Sequence, residues 1–159
     1  MVIMANDFNI DEILKMAEQI ERNGAQFYRE AATNVTDKVH VDLLKELAAM
    51  EDQHEKTFAA LRAELNEAEK KSTVFDPNDE SAVYLKALAD TRVFYEKKID
   101  VTSIKEILKE AITAEKDSIV FYLGMKDLVP KHLGQNKMDV IIKEEMGHIR
   151  LLAGKLTAL

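Results

Sequence analysis

Glu51-Asp52-Gln53-His54 places a carboxylate and an imidazole three residues apart, inside an apolar-periodic run that covers residues 44–65. Residues at this spacing share one face of a helix, so the two side chains point to the same place. The stretch Glu144-Glu145-Met146-Gly147-His148 contains the same Glu-x-x-His spacing near the other end of the chain. One such pair is weak evidence for a site, but two pairs in one chain require a common explanation.

The composition is that of one helical domain. The chain has 159 residues, only five Gly and two Pro, and a predominance of Leu, Ala, Glu and Lys, which favours helices. A net charge of -7 argues against a nucleic-acid binder, because phosphate binding needs a positive surface. The absence of Cys excludes disulfides, thiolate metal sites, iron–sulfur clusters and a cysteine nucleophile.

No targeting or membrane segment is expected. Residues 1–5 are apolar but lack a basic region and a long apolar core, so they do not resemble a signal peptide. No apolar run approaches the length that spans a bilayer. We therefore predict no membrane association and a cytoplasmic location.

The hydrophobic pattern consists of four seams, each of which is a stripe of mostly apolar residues spaced to lie on one face of a helix. The first two are interrupted by polar residues, Glu21 in one and Glu51 with His54 in the other, and a buried carboxylate is costly unless something compensates it. Residues 34–37 break the helical pattern between these two seams and offer Thr36 or Asp37 as a helix cap. The first seam is Ile10, Leu14, Ala17, Glu21, Gly24, Tyr28, Ala31 and Val35, and the second is Leu44, Leu47, Glu51, His54, Phe58, Leu61 and Leu65.

The second half of the chain repeats the first with an offset of 94 residues. Adding 94 to every position of the first seam gives Ile104, Leu108, Ala111, Glu115, Ser118, Tyr122, Met125 and Val129, and adding it to the second gives Met138, Ile141, Glu145, His148 and Leu152 among others. An internal repeat of this kind indicates two copies of one structural unit. We predict a single domain over residues 1–159, in which helix hairpins at 9–68 and 103–157 are joined by a crossover at 69–102 that contains a short helix.

The repeat brings six metal-binding side chains to one level of the predicted bundle. Glu21 and Glu51 lie fifteen residues on either side of Thr36, and Glu115 and Glu145 lie fifteen residues on either side of Pro130, so each hairpin aligns its own pair. We expect Gly134 and Asn136 to lie in the second connection. The predicted ligands are Glu21, Glu51, His54, Glu115, Glu145 and His148.

Four carboxylates can lie close together only if protons or cations neutralise their negative charges. Two divalent cations would supply four positive charges, and oxygen and imidazole ligands without sulfur suit iron or manganese. A bundle with Glu on two helices and Glu-x-x-His on the other two has the ligand pattern of ferritin-like di-iron proteins. The sequence therefore predicts an all-α, antiparallel four-helix bundle with two Fe ions, Mn or mixed Fe/Mn loading being the alternative.

At these residues the chain resembles a ferritin-like di-iron carboxylate protein of the rubrerythrin branch, over nearly its whole length. The resemblance implies that Glu51 and Glu145 bridge the two ions and that Glu21 and Glu115 are terminal ligands. Tyr28 and Tyr122, each one heptad beyond a ligand glutamate, match tyrosines that flank the site in this superfamily. We interpret them as packing residues and hydrogen-bond donors to ligand carboxylates rather than as radical carriers.

Several features depart from the rubrerythrin pattern. Rubrerythrins carry an additional glutamate three residues after the ligand on the third helix, where this chain has Ser118. Without Cys there is no rubredoxin domain, so electrons would come from a separate donor protein such as a rubredoxin. The chain ends eleven residues after His148, before the fifth helix of cage-forming ferritins, so a homodimer is expected rather than a cage.

Other polar residues near these seams are given ordinary structural roles. His40 and His132 are interpreted as surface residues. Glu18, Glu55 and Glu144 adjoin predicted ligands but fall off the seams, so we expect them to be solvated or to support the ligands.

Three functions follow from the predicted site. The first is a redox enzyme of peroxidase or oxidase type, in which a di-iron(II) site reacts with hydrogen peroxide or dioxygen and is re-reduced by the external donor. The second is a ferroxidase that stores or delivers iron. The third is a non-catalytic bundle whose metal site is structural.

Overall fold

Helices account for nearly all of the residues that this computed structural model describes, which are 9–71, 84, 85, 87 and 103–159. The described residues include α1 (Ile10–Asn34), α2 (Lys38–Ala63), α3 (Glu67–Lys71), α4 (Ile104–Lys126) and α5 (Lys131–Thr157). Positions 84, 85 and 87 are helical as well. The remainder of the short helix predicted in the crossover, and the apolar start of the chain, lie outside the described residues.

Three of the four long helices begin at a side-chain cap. The Asn9 side chain accepts a hydrogen bond from the Glu12 amide at 3.0 Å, Asp37 accepts one from the Val39 amide at 2.8 Å, and Ser103 accepts one from an amide in the first turn of α4. Each cap satisfies a backbone N–H that has no partner within the helix. Of the two caps that the sequence offers for the second helix, Thr36 and Asp37, the structure uses Asp37.

The connection between α4 and α5 is shorter than the sequence pattern indicated. α4 ends at Lys126 and α5 begins directly after Pro130, so Gly134 and Asn136 lie inside α5 instead of in the loop. Gly134 nevertheless interrupts the helical geometry, with φ of 107° and ψ of 69°. Only glycine adopts a positive φ of this kind without a steric cost, so Gly134 kinks the helix near its start.

The two helices of each hairpin run antiparallel. Arg22 of α1 pairs with Glu55 of α2 at 2.7 Å, and Glu18, one turn earlier in α1, pairs with Arg62, about two turns later in α2, at 2.6 Å. α4 and α5 pack against each other in the same way, α1 also faces α4, and α2 faces α5. The predicted all-α, antiparallel four-helix bundle is therefore confirmed.

Two apolar clusters fill the bundle and leave a polar layer between them. The cluster at one end contains Phe58 and Tyr122, whose ring centroids are 5.1 Å apart, and the cluster at the other end contains Leu47 and Leu108. Burying side chains of this size stabilises the fold by about 1.5–3 kcal/mol each. The residues of the predicted seams form most of both clusters.

The crossover packs onto the outside of α4. Leu85 is fully buried in the first apolar cluster. A Cβ atom on Gly124 of α4 would lie 3.0 Å from the Leu85 side chain and 3.1 Å from the Tyr84 ring. Gly124 thus makes room for Tyr84 and Leu85 on the surface of α4. No helix in the described ranges is long and apolar enough to cross a membrane.

Candidate metal centre

The six predicted ligands converge in the polar layer between the two apolar clusters. Each is at most 5% exposed, although carboxylates and imidazoles are usually found at protein surfaces. α1 and α4 each contribute one glutamate, while α2 and α5 each contribute one Glu-x-x-His pair. The residues are Glu21, Glu51, His54, Glu115, Glu145 and His148.

These residues form two overlapping groups of four. The His54 tetrad consists of Glu21, Glu51, His54 and Glu145, and the His148 tetrad consists of Glu51, Glu115, Glu145 and His148. In each tetrad one possible ligand atom from every residue lies within 4.8 Å of the others. Glu51 and Glu145 belong to both tetrads. The arrangement therefore offers two adjacent cation positions that share two carboxylates.

Both imidazoles direct their Nδ1 atoms towards the carboxylates. His54 Nδ1 lies 2.8 Å from Glu145 Oε1, and His148 Nδ1 lies 3.1 Å from Glu145 Oε2 and 3.3 Å from Glu115 Oε1. The two rings are nearly parallel, with centroids 5.9 Å apart. The same nitrogen of each histidine is thus placed to act as a ligand.

Each tyrosine donates a hydrogen bond to the glutamate of the opposite hairpin. Tyr28 Oη donates to Glu115 Oε1 at 2.6 Å, and Tyr122 Oη donates to Glu21 Oε1. Burial and the neighbouring carboxylates raise the pKa of both phenols, which therefore remain protonated donors. The tyrosines fix the unshared carboxylates of the two tetrads and link α1 to α4.

Protons compensate the negative charge of the cluster in the metal-free chain. Burial, followed by repulsion from Glu51 and Glu145, raises the pKa of Glu21 well above its usual value. Burial and a hydrogen bond with Glu145 raise the pKa of Glu115 in the same direction. Both carboxyls therefore retain a proton to a higher pH than a free glutamate does.

The remaining charges of the cluster attract one another. Burial alone would lower the pKa of both histidines, but hydrogen bonds to carboxylates outweigh it, raising the pKa of His54 and bringing that of His148 to about 12. Burial would raise the pKa of Glu145, yet hydrogen bonds from Glu115, His148 and His54 lower it overall. The cluster therefore holds protons that cations can replace.

The chemistry of the cluster fits divalent cations. Glu21 Oε2 is buried and has no hydrogen-bond partner among the described residues, which is costly for a carboxylate oxygen. A cation in the His54 tetrad would give this atom a partner. Carboxylate oxygens and imidazole nitrogens without sulfur suit iron or manganese.

Glu144 contacts the cluster although it lies off the apolar seam. Its Oε2 atom lies 2.6 Å from His54 Nε2, on the far side of the ring from the other carboxylates, and its side chain is 41% exposed. The sequence left Glu144 as either solvated or supporting, and the structure places it beside a ligand. The signal in the sequence was that Glu144 directly precedes the predicted ligand Glu145.

The other polar residues near the seams lie outside the cluster. Glu18 is not solvated but buried, and it accepts hydrogen bonds from Arg62 at 2.6 and 3.1 Å. Glu55 is bound at the surface by Arg22. His132 is 66% exposed, whereas the His40 side chain is only 16% exposed and lies beside the cap of α2.

Ser118 contributes no additional ligand. Its hydroxyl donates to the backbone carbonyl of Ala114 at 3.0 Å. The position where the resemblance to rubrerythrins would place a further glutamate is therefore occupied by a side chain that bonds to its own helix.

The fold and the site together define a class of protein. An antiparallel four-helix bundle with glutamates on two helices and Glu-x-x-His on the other two is the architecture of ferritin-like di-iron carboxylate proteins. The sequence model of the Rubrerythrin family matches residues 12–156, and the chain belongs to this family. The predicted resemblance is thereby confirmed.

The structure is also similar to a solved structure from Thermotoga maritima, provisionally described as a ferritin-like diiron-carboxylate protein. The two proteins share 26% sequence identity and a TM-score of 0.72, over 96% of this chain and 97% of the other. No curated protein matches the sequence at a significant level.

Proposed function

We propose that this chain is a di-iron carboxylate redox protein whose Fe(II) site reacts with hydrogen peroxide or dioxygen. The observation that carries the proposal is the pair of overlapping tetrads, buried in the centre of the bundle and held by residues of all four long helices. Membership of the rubrerythrin family supports iron as the metal.

Each ion would have two ligand residues of its own and two that it shares with the other ion. His54 with Glu21 would serve one ion and His148 with Glu115 the other, while Glu51 and Glu145 lie within reach of both. Four glutamates against two divalent cations give a neutral set of charges. The apolar clusters on either side keep bulk water away, which strengthens every electrostatic interaction in the layer.

Two bound Fe(II) ions would each supply one electron, and these two electrons with two protons reduce one hydrogen peroxide molecule to two water molecules. The sequence contains no Cys that could hold an iron–sulfur centre beside the cluster, which favours return of the electrons from an external donor. A rubredoxin or a similar small redox protein is the donor that we predict. We also predict a homodimer in the cytoplasm.

Stopped-flow absorbance on protein loaded anaerobically with two Fe(II) per chain tests the proposal. Fast oxidation by hydrogen peroxide and slow oxidation by dioxygen, followed by re-reduction by reduced rubredoxin, support a peroxidase. Accumulation of ferric mineral beyond two ions per chain would instead indicate a ferroxidase that stores iron. Protein that binds two ions without reacting with either oxidant would be a structural metal bundle, and protein that binds none would refute all three functions.

A variant pair makes the same experiment specific for the cluster. Glu21→Gln removes a carboxylate from the His54 tetrad, whereas Glu55→Gln makes the same change in charge at a surface residue bound by Arg22. The proposal predicts that oxidation is lost or greatly slowed in the first variant and unchanged in the second.

A further inference from the structure

We propose that Glu144 is a positioning residue that makes the two cation positions unequal, so that the His54 tetrad binds its cation more tightly than the His148 tetrad. This inference rests on the proposed metal-binding function. It concerns the order in which the positions fill, which the family and the ligand set leave open.

The identity of the ligands does not explain why one tetrad should bind its cation more tightly than the other. Each tetrad contains three glutamates and one histidine, and the two sets are related by the offset of 94 residues. Glu51 and Glu145 are common to both. The tyrosines are matched as well, since Tyr28 and Tyr122 each donate to the unshared glutamate of one tetrad. The inequality that we infer comes from groups behind the ligands.

The groups behind the two imidazoles differ. His54 Nε2 lies 2.6 Å from Glu144 Oε2, whereas His148 Nε2 is buried and has no hydrogen-bond partner in the part of the chain that the structure describes. The residue that corresponds to Glu144 in the first hairpin is Met50, since 144 less 94 is 50. A thioether is at most a weak acceptor, so the repeat lacks a second carboxylate at this place.

A carboxylate at Nε2 affects the nitrogen on the other side of the ring. In the neutral imidazole that would bind a cation, Glu144 accepts the Nε2–H and thereby keeps the lone pair on Nδ1, and it holds the plane of the ring. It also makes the imidazole a more basic ligand. Removal of such a partner weakens metal binding by about 10–100-fold in known sites. His148 Nε2 has no such partner among the described residues, so nothing described there gives His148 these advantages.

The mismatch between Gly24 and Ser118, which also lies close to the ligands, does not act on an imidazole. Gly24 corresponds to Ser118, whose hydroxyl bonds to the backbone of its own helix. A Cβ on Gly24 would lie 3.4 Å from Glu51, which belongs to both tetrads. This difference is therefore not specific to either cation position.

Titration of the metal-free protein with Co(II) tests the inference, with occupancy read at each position. Binding curves come from calorimetry and visible absorbance, and crystals grown with one equivalent of Co(II) give the occupancy of each position by anomalous scattering. Long-range ¹⁵N NMR reports which nitrogen of each ligand histidine carries the proton. The variants are Glu144→Ala, Glu144→Gln and Met50→Glu, with Glu55→Gln as a control for charge.

We expect two binding steps in the natural sequence, with the first equivalent of Co(II) in the His54 tetrad. Glu144→Ala should weaken this step about 10–100-fold and remove the preference, while Glu144→Gln, which can still accept a hydrogen bond, should restore part of it. Met50→Glu should strengthen the other position, and Glu55→Gln should change neither. Because the Glu144 side chain is partly exposed, the two variants at Glu144 should fold normally.

The outcomes separate this inference from the proposed function. Two ions that bind with equal affinity, a first ion in the His148 tetrad, or a preference that survives Glu144→Ala would each overturn the role of Glu144 and leave the metal centre intact. Protein that takes up no Co(II) in the cluster would overturn the proposed function itself.

Discussion

Replacing Glu51 by Gln should weaken cation binding at both positions while leaving the metal-free bundle folded. Glu51 is shared by the two tetrads, so the substitution removes one negative charge from each. The ligand atoms lie within 4.8 Å of one another. At this distance and an effective dielectric constant of about 20, Coulomb's law gives about 3.5 kcal/mol for each pair of unit charges. That energy corresponds to a factor of a few hundred in a binding constant.

The assay is anaerobic titration with Fe(II) or Co(II), together with thermal unfolding of the metal-free protein. We expect both ions to bind at least about 100-fold more weakly, whereas Glu21→Gln should mainly affect the one tetrad to which Glu21 belongs. Gln is similar to Glu in volume, so the free energy of unfolding should change by less than about 1 kcal/mol. Leu47→Ala, one turn away in the apolar cluster, should lower it by about 2–5 kcal/mol.

Two results would refute this reasoning. Glu51→Gln protein that binds two ions with unchanged affinity would show that Glu51 is not a shared ligand. Glu51→Gln protein that is unfolded without metal would show that the carboxylate is part of the structural core.

Three further predictions concern protons, the tyrosines and the crossover. Glu21, Glu115, His54 and His148 have raised pKa values and bind more protons in the folded than in the unfolded chain, where the values are 4.5 for carboxyls and 6.5 for imidazoles. Stability should therefore fall as the pH rises above about 4.5, and the contribution of His148 should continue to fall above pH 6.5 towards its folded pKa of about 12. The lowered pKa of Glu145 has the opposite effect only below about pH 4.5. Thermal unfolding followed by circular dichroism should show this slope in metal-free protein and a smaller slope with Mn(II), and a rise in stability with pH would contradict it. Tyr122→Phe removes the donor to Glu21 and should weaken binding in the His54 tetrad about 10–100-fold by the same Co(II) titration, with an unchanged constant counting against the role of the phenol. Gly124→Val should lower the free energy of unfolding by about 1–3 kcal/mol in urea denaturation by crowding Leu85, whereas Gly154→Val, which meets nothing within 4 Å, should serve as the control; equal effects of the two would argue against the packing of the crossover.

The bundle and the position of the cluster could be predicted because both follow from periodicity. Apolar or small residues repeat at helical spacing along each seam. Glu and His residues interrupt the seams, and the offset of 94 residues relates each of these interruptions to a partner. The fifteen-residue symmetry about each turn then sets the level at which the side chains meet. In the structure the interruptions at Glu21 and Glu115 lie at one level, each held by a tyrosine from the opposite hairpin.

Features that depend on packing between helices could not be predicted in the same way. Glu144 can face solvent or His54, depending on how α5 is rotated about its axis relative to α2. The pattern of apolar residues defines this rotation only to within about one residue position. The pattern leaves Glu18 either solvated or supporting the ligands for the same reason, whereas in the structure Arg62 reaches across from α2 and allows Glu18 to be buried. The kink at Gly134 depends on a local backbone angle that a glycine permits without requiring it.

Diffraction from iron-loaded crystals on both sides of the iron absorption edge shows directly whether the cluster binds two iron ions. We expect two anomalous peaks per chain, one within the His54 tetrad and one within the His148 tetrad, with Glu51 and Glu145 in reach of both. A single peak, peaks at acidic residues on the surface, or an ordered cluster that stays free of iron at saturating Fe(II) would contradict it.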